Sequence, residues 1–245
     1  SRAALPRHQT LRAAIDWSYD LLTPAEREVF RQLAVFRGGF TLDAVESVVR
    51  SGSDRPPDAG DLLDLLSRLV DRSLVVVQPQ GAQHRYHLLE TLREYAAAQF
   101  PAAQFPAAEE WQQLGDRHAA YFRALAEEAE PQLVGRQQAQ WLNRLEVEHP
   151  NLRAALDHLL ARGGGDAALR LAAALLRFWD YRGYGSEGRE RLRRALALRP
   201  PQASVPAAKA LTAAGWLAYR ADSIQVALSL VPGVSRSGAT ITGAL

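Results

Sequence analysis

Apolar positions recur at helical spacing along most of this chain, and they switch to a strand pattern once, between Asp61 and Gln99. Leu62, Leu63, Leu65, Leu66, Leu69 and Val70 give a helix with one apolar face. SLVVV (73–77) then brings in β-branched residues, QPQGAQ supplies proline and glycine for a turn, and HRYHL returns as a second short strand. Leu88, Leu89, Leu92 and Tyr95 restart a helical stripe. Helix, hairpin and helix in this order form the end of a winged-helix domain, with the hairpin as wing.

The residues upstream complete that domain. Leu11, Ile15, Tyr19 and Leu22 share one helical face within 10–22. Thr23-Pro24-Ala25-Glu26 predicts a helix start: threonine as cap, proline at the first helical position, and glutamate three residues on to close a capping box. Val29, Phe30 and Leu33 point inward from that helix, which stops at Gly38-Gly39. Phe40, before the cap residue Thr41, is placed to staple onto Val45. SGSDRPPDAG (51–60) is a loop by composition. The winged-helix domain is therefore expected over 1–98.

QFPAA at 99–103 is repeated letter for letter at 104–108, a duplicated linker whose X-Pro steps disfavour a continuous helix. From Glu109 the pattern is helical almost throughout. Trp111, Leu114, His118, Tyr121, Phe122 and Leu125 form a stripe that Pro131 is expected to break. Trp141, Leu142 and Leu145 belong to a helix expected to end at His149-Pro150. Leu152, Leu156, Leu159 and Leu160 make the next, closed by Gly163-Gly164-Gly165. Segments 169–179 and 189–198 follow as a pair. Trp141, Trp179 and Trp216 stand 38 and 37 residues apart, the period of stacked helix pairs. AKALTAAGWLAYRAD (208–222) resembles the first helix of a tetratricopeptide repeat. The expected fold is thus mainly α: a winged helix with a two-stranded hairpin, then a tetratricopeptide-like array over 109–222, then an appended tail over 223–245.

Composition narrows the chemistry. A length of 245 residues suits one large domain or two small ones, and no staple is needed to bury a core. The chain has no cysteine, so disulfides, thiolate nucleophiles and cysteine zinc sites are excluded, which fits a reducing cytoplasm. Lys209 is the sole lysine, and the arginine excess reads as codon bias. No run of about 18 apolar residues is present to span a bilayer. The chain starts at Ser1 and contains no methionine, which reads as a fragment. Lys209 lies between alanines, so no glycine-rich phosphate loop with its lysine exists; neither ATP hydrolysis nor a cofactor is expected. The six histidines form no HExxH pattern, and His84 with His87 lacks acidic neighbours, so no metal is expected.

Charge also bears on partners. A duplex-reading helix must neutralise phosphates. Residues 61–73 carry Asp61, Asp64 and Asp71 against Arg68 and Arg72, a sum of −1, and the wing adds Arg85. That balance argues against nucleic acid; a basic patch of Arg68, Arg72 and Arg85 on the folded surface would reverse it. Residues 182–199 hold six arginines and two glutamates, a sum of +4. Within them Arg189, Arg191, Arg193 and Arg194 form either a solvated helix face or a surface for an acidic partner.

RLVDRSLVVV followed by RYHLLETLREYA resembles the winged-helix segment of bacterial STAND signalling ATPases, relatives of the NB-ARC proteins. RHQTLRAAIDWSYDLLTPAEREVFRQLAVFRGGFTLDAVE is similar to the same family's approach to that segment. The resemblance covers roughly 5–220. It implies a regulatory piece whose partners are an upstream ATPase domain and a protein or ligand on the repeats. In that family the winged helix packs on the nucleotide-binding domain, and a Met-His-Asp motif lies near the nucleotide. Aligned on LLETLREYA, those positions are Leu88, Leu89 and Glu90, so the histidine is replaced. Leu89 and Glu90 are then candidates for interdomain contact, and His87 is a strand-end histidine.

VPGVSRSGAT (231–240) resembles the signature loop of undecaprenyl-diphosphate phosphatases through Pro232, Gly233, Ser235, Arg236, Ser237, Gly238 and Thr240. The resemblance implies phosphate-binding or catalytic roles for Ser235, Arg236 and Ser237. That family's membrane helices and glutamate-rich motif are missing from this sequence. The tail therefore reads as a foreign piece on a non-enzymatic regulator. The alternatives are a membrane phosphatase fragment and a DNA-binding winged-helix regulator.

Overall fold

The computed structural model describes residues 4–49, 59–80, 83–100, 107–198 and 204–229. They fall into two compact units, Ser1–Tyr121 and Phe122–Leu245.

The first unit runs α1 (Ala4–Asp20), α2 (Pro24–Leu33), α3 (Leu42–Val48), α4 (Ala59–Asp71), β1 (Val76–Gln80), β2 (Gln83–His87), α5 (Glu90–Ala98) and the start of α6 (Ala107–Gln132). The capping box at α2 is present. The Glu26 N–H donates to Thr23 Oγ1 at 3.3 Å, and the Thr23 N–H donates to Glu26 Oε2 at 2.8 Å. Both otherwise orphaned backbone donors are thereby satisfied, which starts the helix at Pro24 and turns Val29, Phe30 and Leu33 into the core.

α2 ends at Leu33 with Ala34 as its cap, ahead of the glycines expected to stop it, and Gly38 and Gly39 then reverse the chain at φ 73° and 98°. Gly39 has a second reason to be glycine: a Cβ there would lie 2.5 Å from His87 Nδ1 and 2.9 Å from the Tyr86 carbonyl oxygen. That close approach lets Phe40 exchange backbone hydrogen bonds with Tyr86, at 2.9 and 2.8 Å. β1 and β2 pair antiparallel from Val76 opposite His87 to Gln80 opposite Gln83. The wing is thus anchored through Phe40 to the helices.

Phe30, Leu33, Phe36, Phe40, Val45, Leu62, Leu66 and Leu69 form the core beneath it, each 3% exposed or less. The beginning of α6 joins this unit: the Arg117 Nε–H donates to the Val48 carbonyl at 2.7 Å, and buried His118 lies edge-on to Phe36.

The second unit holds the rest of α6, then α7 (Gln138–Ala161), α8 (Gly165–Ala174), α9 (Leu176–Arg182), α10 (Gly185–Ala197) and α11 (Val205–Ser229). Two expectations are corrected here. Pro131 does not stop α6 ahead of itself but lies inside it, one residue from its end. His149-Pro150 ends nothing, because α7 continues through both to Ala161.

An interior proline removes one backbone hydrogen bond and strains the turn before it, at about 3 kcal/mol. Here the buried stripe continues on both sides of Pro150, through Trp141, Leu145 and His149 before it and Leu152, Ala155 and Leu156 after it. Burying several such side chains outweighs one strained turn at about 1.5–3 kcal/mol each.

The expected helix over 169–179 is also divided, at Leu175, into α8 and α9. Of the three spaced tryptophans, Trp141 and Trp179 are buried and Trp216 is 48% exposed. No helix among the described residues is long and apolar enough to cross a membrane.

Candidate functional site

α4 is the helix a winged-helix domain would lay against a partner, and its two faces differ sharply. Leu62, Leu66 and Leu69 are fully buried. Asp61, Leu63, Asp64, Ser67, Arg68 and Asp71 are exposed, followed by exposed Arg72. Asp43, in the first turn of α3, adds another exposed carboxylate. The basic patch that would favour duplex DNA does not assemble. Arg85 is only 4% exposed, and its Nη2 donates to the Gly39 carbonyl at 3.1 Å and the Gly38 carbonyl at 3.4 Å. A tight glycine turn points carbonyls toward the interior, and one guanidinium nitrogen donates to both. Arg85 therefore supports the wing from inside and offers nothing to a phosphate.

Leu89 and Glu90 sit where β2 passes into α5. Leu89 occupies the N-cap position with an extended backbone and is 58% exposed. The Glu90 carboxylate accepts from Arg93 Nε at 2.8 Å and from Arg93 Nη2, with Arg37 Nη1 at 3.7 Å. The hydrogen bond from Arg93 holds this carboxyl below the usual glutamate range; slight burial opposes it and the Arg37 charge assists. Burial, then the neighbouring Arg93, lowers the Arg37 pKa in turn. Arg37 and Arg93 were not anticipated as companions of Glu90. The three-residue spacing of Glu90 and Arg93 was the visible signal for one of them.

In the second unit the strongest polar centre is Glu187 on α10. Its Oε1 lies 2.8 Å from Arg153 Nε, 2.8 Å from Arg191 Nε and 3.5 Å from His149 Nε2. Burial raises the pKa of this carboxyl, but the adjacent His149 imidazole and hydrogen bonds from Arg153 and Arg191 together overcome it and bring it to about 2.

The four arginines considered for an acidic partner are all engaged. Arg191 Nη1 also donates to Asp157 Oδ1 at 2.8 Å, and Arg194 lies 3.7 Å from the same oxygen. Arg193 pairs with Glu190 at 2.7 Å, and Arg189 Nη1 donates to the Leu217 carbonyl at 3.4 Å.

Polar contacts in this unit recur at sequence separations of 36 to 40 residues. Tyr184 donates to Glu146 and Trp216 to Asp180, across 38 and 36 residues, while Arg220 reaches Asp180 across 40. Glu127 with Arg170, and Glu130 with Lys209, line a cleft of about 270 Å³ between α6, α8 and α11.

Ser235, Arg236 and Ser237 lie outside the described residues. Among the described residues no group of three or more histidines or carboxylates could hold a metal ion.

The fold and the comparisons agree on the class. Residues 22–100 match the family described as winged helix-turn-helix domain. Over 195 residues, 76% of its length, the chain is 40% identical to proteins of Mycobacterium tuberculosis (strain H37Rv) and Mycobacterium bovis. Those relatives carry, provisionally, the name HTH-type transcriptional regulator. The chain spans 20% of their length. It is also 38% identical, over 93 residues making up 38% of this chain, to an uncharacterized Mycobacterium tuberculosis protein of which 23% is covered. No solved structure matches.

Proposed function

We propose that this chain is a non-catalytic regulatory module of a STAND-type signalling ATPase or transcriptional regulator, and that its winged helix works by packing on protein. The carrying observation is the exposed side of α4, where three aspartates face two arginines while Arg85, the remaining candidate cation, is turned inward. Duplex affinity comes mainly from neutralised phosphates, and this surface neutralises few. In this reading exposed Leu89 and the Glu90–Arg93–Arg37 cluster face the ATPase domain. The helical array takes the sensed protein or ligand, with the charged cleft at Glu127, Glu130, Arg170 and Lys209 as its seat.

The test is a fluorescence-anisotropy titration with duplexes of differing sequence. Binding no tighter than about 10⁻⁶ M, indifferent to sequence and lost between about 50 and 200 mM salt, is the expected result. Sequence-selective binding that survives the higher salt would replace this reading with a second one, a DNA-binding winged-helix regulator. The name borne by the mycobacterial relatives favours that second reading, and Arg68 and Arg72 would then be its phosphate contacts.

The tail is proposed to be catalytically silent. An arginine and a few hydroxyls can hold a phosphate, but hydrolysis also needs an activated nucleophile and a positioned proton donor. Residues 223–245 contain no histidine and no carboxylate side chain. Purified protein with a lipid diphosphate in detergent is expected to release no phosphate above background. Turnover abolished by Arg236→Ala would make the chain an enzyme instead.

A further inference from the structure

Among the described residues, α11 keeps one side open to solvent. Ala207, Ala210, Ala213 and Leu217 bury the other side. Val205, Ala208, Thr212, Trp216 and Tyr219 recur at i, i+3, i+7, i+11 and i+14 and form an exposed strip that carries no charge. Trp216, Tyr219 and Val205 are 48%, 66% and 74% exposed, and the two aromatic rings lie 6.4 Å apart. The Thr212 hydroxyl donates to the Ala208 carbonyl at 3.0 Å, which satisfies it within the helix. Charges at the margins are engaged sideways, Lys209 with Glu130 on α6 and Arg220 with Asp180 on α9. A contiguous apolar strip of this kind marks an interaction surface.

The chain itself supplies a segment that fits. Residues 230–245, outside the described residues, continue directly from Ser229 at the end of α11. Proline cannot prolong a helix, and Pro232-Gly233 is the pairing of a reverse turn, so the sequence predicts that the chain doubles back there. An extended segment advances about 3.3 Å per residue and a helix about 1.5 Å, so each returning residue passes about two of the helix. Counted from Gly233 opposite Ser229, Arg236 falls beside Asp222 and Gly238 beside Tyr219. Ala239 then falls beside Trp216, and Ile241 beside Thr212 and Ala208. Small residues thus meet the two large rings, and the bulky isoleucine meets the small side chains of the strip. The tail's only charged side chain meets an exposed carboxylate.

We propose that the tail is an intramolecular cover. Residues 234–241 lie extended and antiparallel along the open side of α11, with Gly238 and Ala239 on the Tyr219–Trp216 surface and Arg236 paired with Asp222. A protein that docks on this strip must first displace the tail. The proposal stands independently of what the winged helix packs on.

The chain has no cysteine, so Ser237→Cys and Thr240→Cys each give one thiol for a nitroxide label on the full chain. Paramagnetic broadening of backbone amides is expected to peak around Tyr219 with the first label and around Thr212–Trp216 with the second. Adding Arg236→Glu is expected to remove most of the broadening, and adding Asp222→Arg to that variant to restore it. Unchanged α8 and α10 resonances verify the fold of each variant. No broadening on α11, a peak that moves toward Ser229 from the first label to the second, or indifference to Arg236→Glu overturns the proposal. So does a double variant that stays sharp. Broadening in an equal mixture of labelled chain and isotope-enriched, label-free chain assigns the strip to a second copy and also overturns it.

Discussion

Gly188→Val is expected to destabilise the helical array by about 3 kcal/mol, the upper part of the range for overpacking a filled core. A Cβ at this position would lie 2.7 Å from Trp179 Cε3, 2.9 Å from Trp179 Cδ2 and 2.8 Å from Leu217 Cδ1. Neither neighbour has room to retreat, since Trp179 is 1% exposed and Leu217 2%. Three helices, α9, α10 and α11, meet at this residue, so any shift must move a helix. Gly188→Ala is a sharper test. Helix propensity alone would make it stabilising by about 1 kcal/mol, so a net loss in urea denaturation isolates the steric cost. Pairing either variant with Trp179→Leu should recover part of the loss, because the two positions compete for one volume. An alanine variant at least as stable as the parent would show that the contact is looser than described.

Glu187→Gln is the second large effect. The carboxyl titrates at about 2 in the folded chain, against an ordinary value of 4.5. A depressed carboxylate pKa stabilises the fold above the unfolded value, and that contribution is lost as pH falls toward the folded one. At about 1.4 kcal/mol per unit the shift corresponds to roughly 3 kcal/mol, reduced to roughly 2 because half-exposed Arg153 is screened by solvent. The parent should therefore exceed the variant by about 2 kcal/mol near pH 7, and by less than half of that near pH 3. Denaturant midpoints at the two pH values measure this. A difference independent of pH would assign the effect to packing and not to the charge on Glu187.

What could be read in advance divides along a physical line. The capping box at Thr23, the glycine reversal before Phe40 and the switch from helix to hairpin after Ser73 are local chemistry. A few adjacent residues determine each of them and each is present, although α2 already ends at Leu33 and the expected turn residues Gln78, Pro79 and Gln80 belong to β1. Pro150 departs from expectation because its breaking tendency is local, whereas the stripe that overrides it spans the whole of α7. The inward turn of Arg85 is illegible for a related reason. Its partners, the Gly38 and Gly39 carbonyls, are 47 and 46 residues away, so nothing beside it signals that it turns inward. Glu187 and Gly188 carry little local signal. Glu187 is defined mainly by His149 and Arg153 on α7, with only Arg191 four residues on to mark it locally, and Gly188 by a tryptophan on another helix.

The polar contacts that recur at 34 to 40 residues, from Arg153 with Glu187 to Arg220 with Asp180, bear on how such an array can change over time. Side chains on α7 are matched to α10, and those on α9 to α11, and not to a generic neighbour. Glu187 is suited to His149 and Arg153, and Asp180 to Trp216 and Arg220. A single-residue insertion within a helix would rotate every later partner by about 100° out of register. Exchange of one pair for a foreign one would strand a carboxylate beside an unsuited face. The array is therefore free to lengthen or shorten only in whole units whose joining surfaces carry the same pairing. Its order of assembly is inherited as a keyed sequence, in which each unit recognises the next.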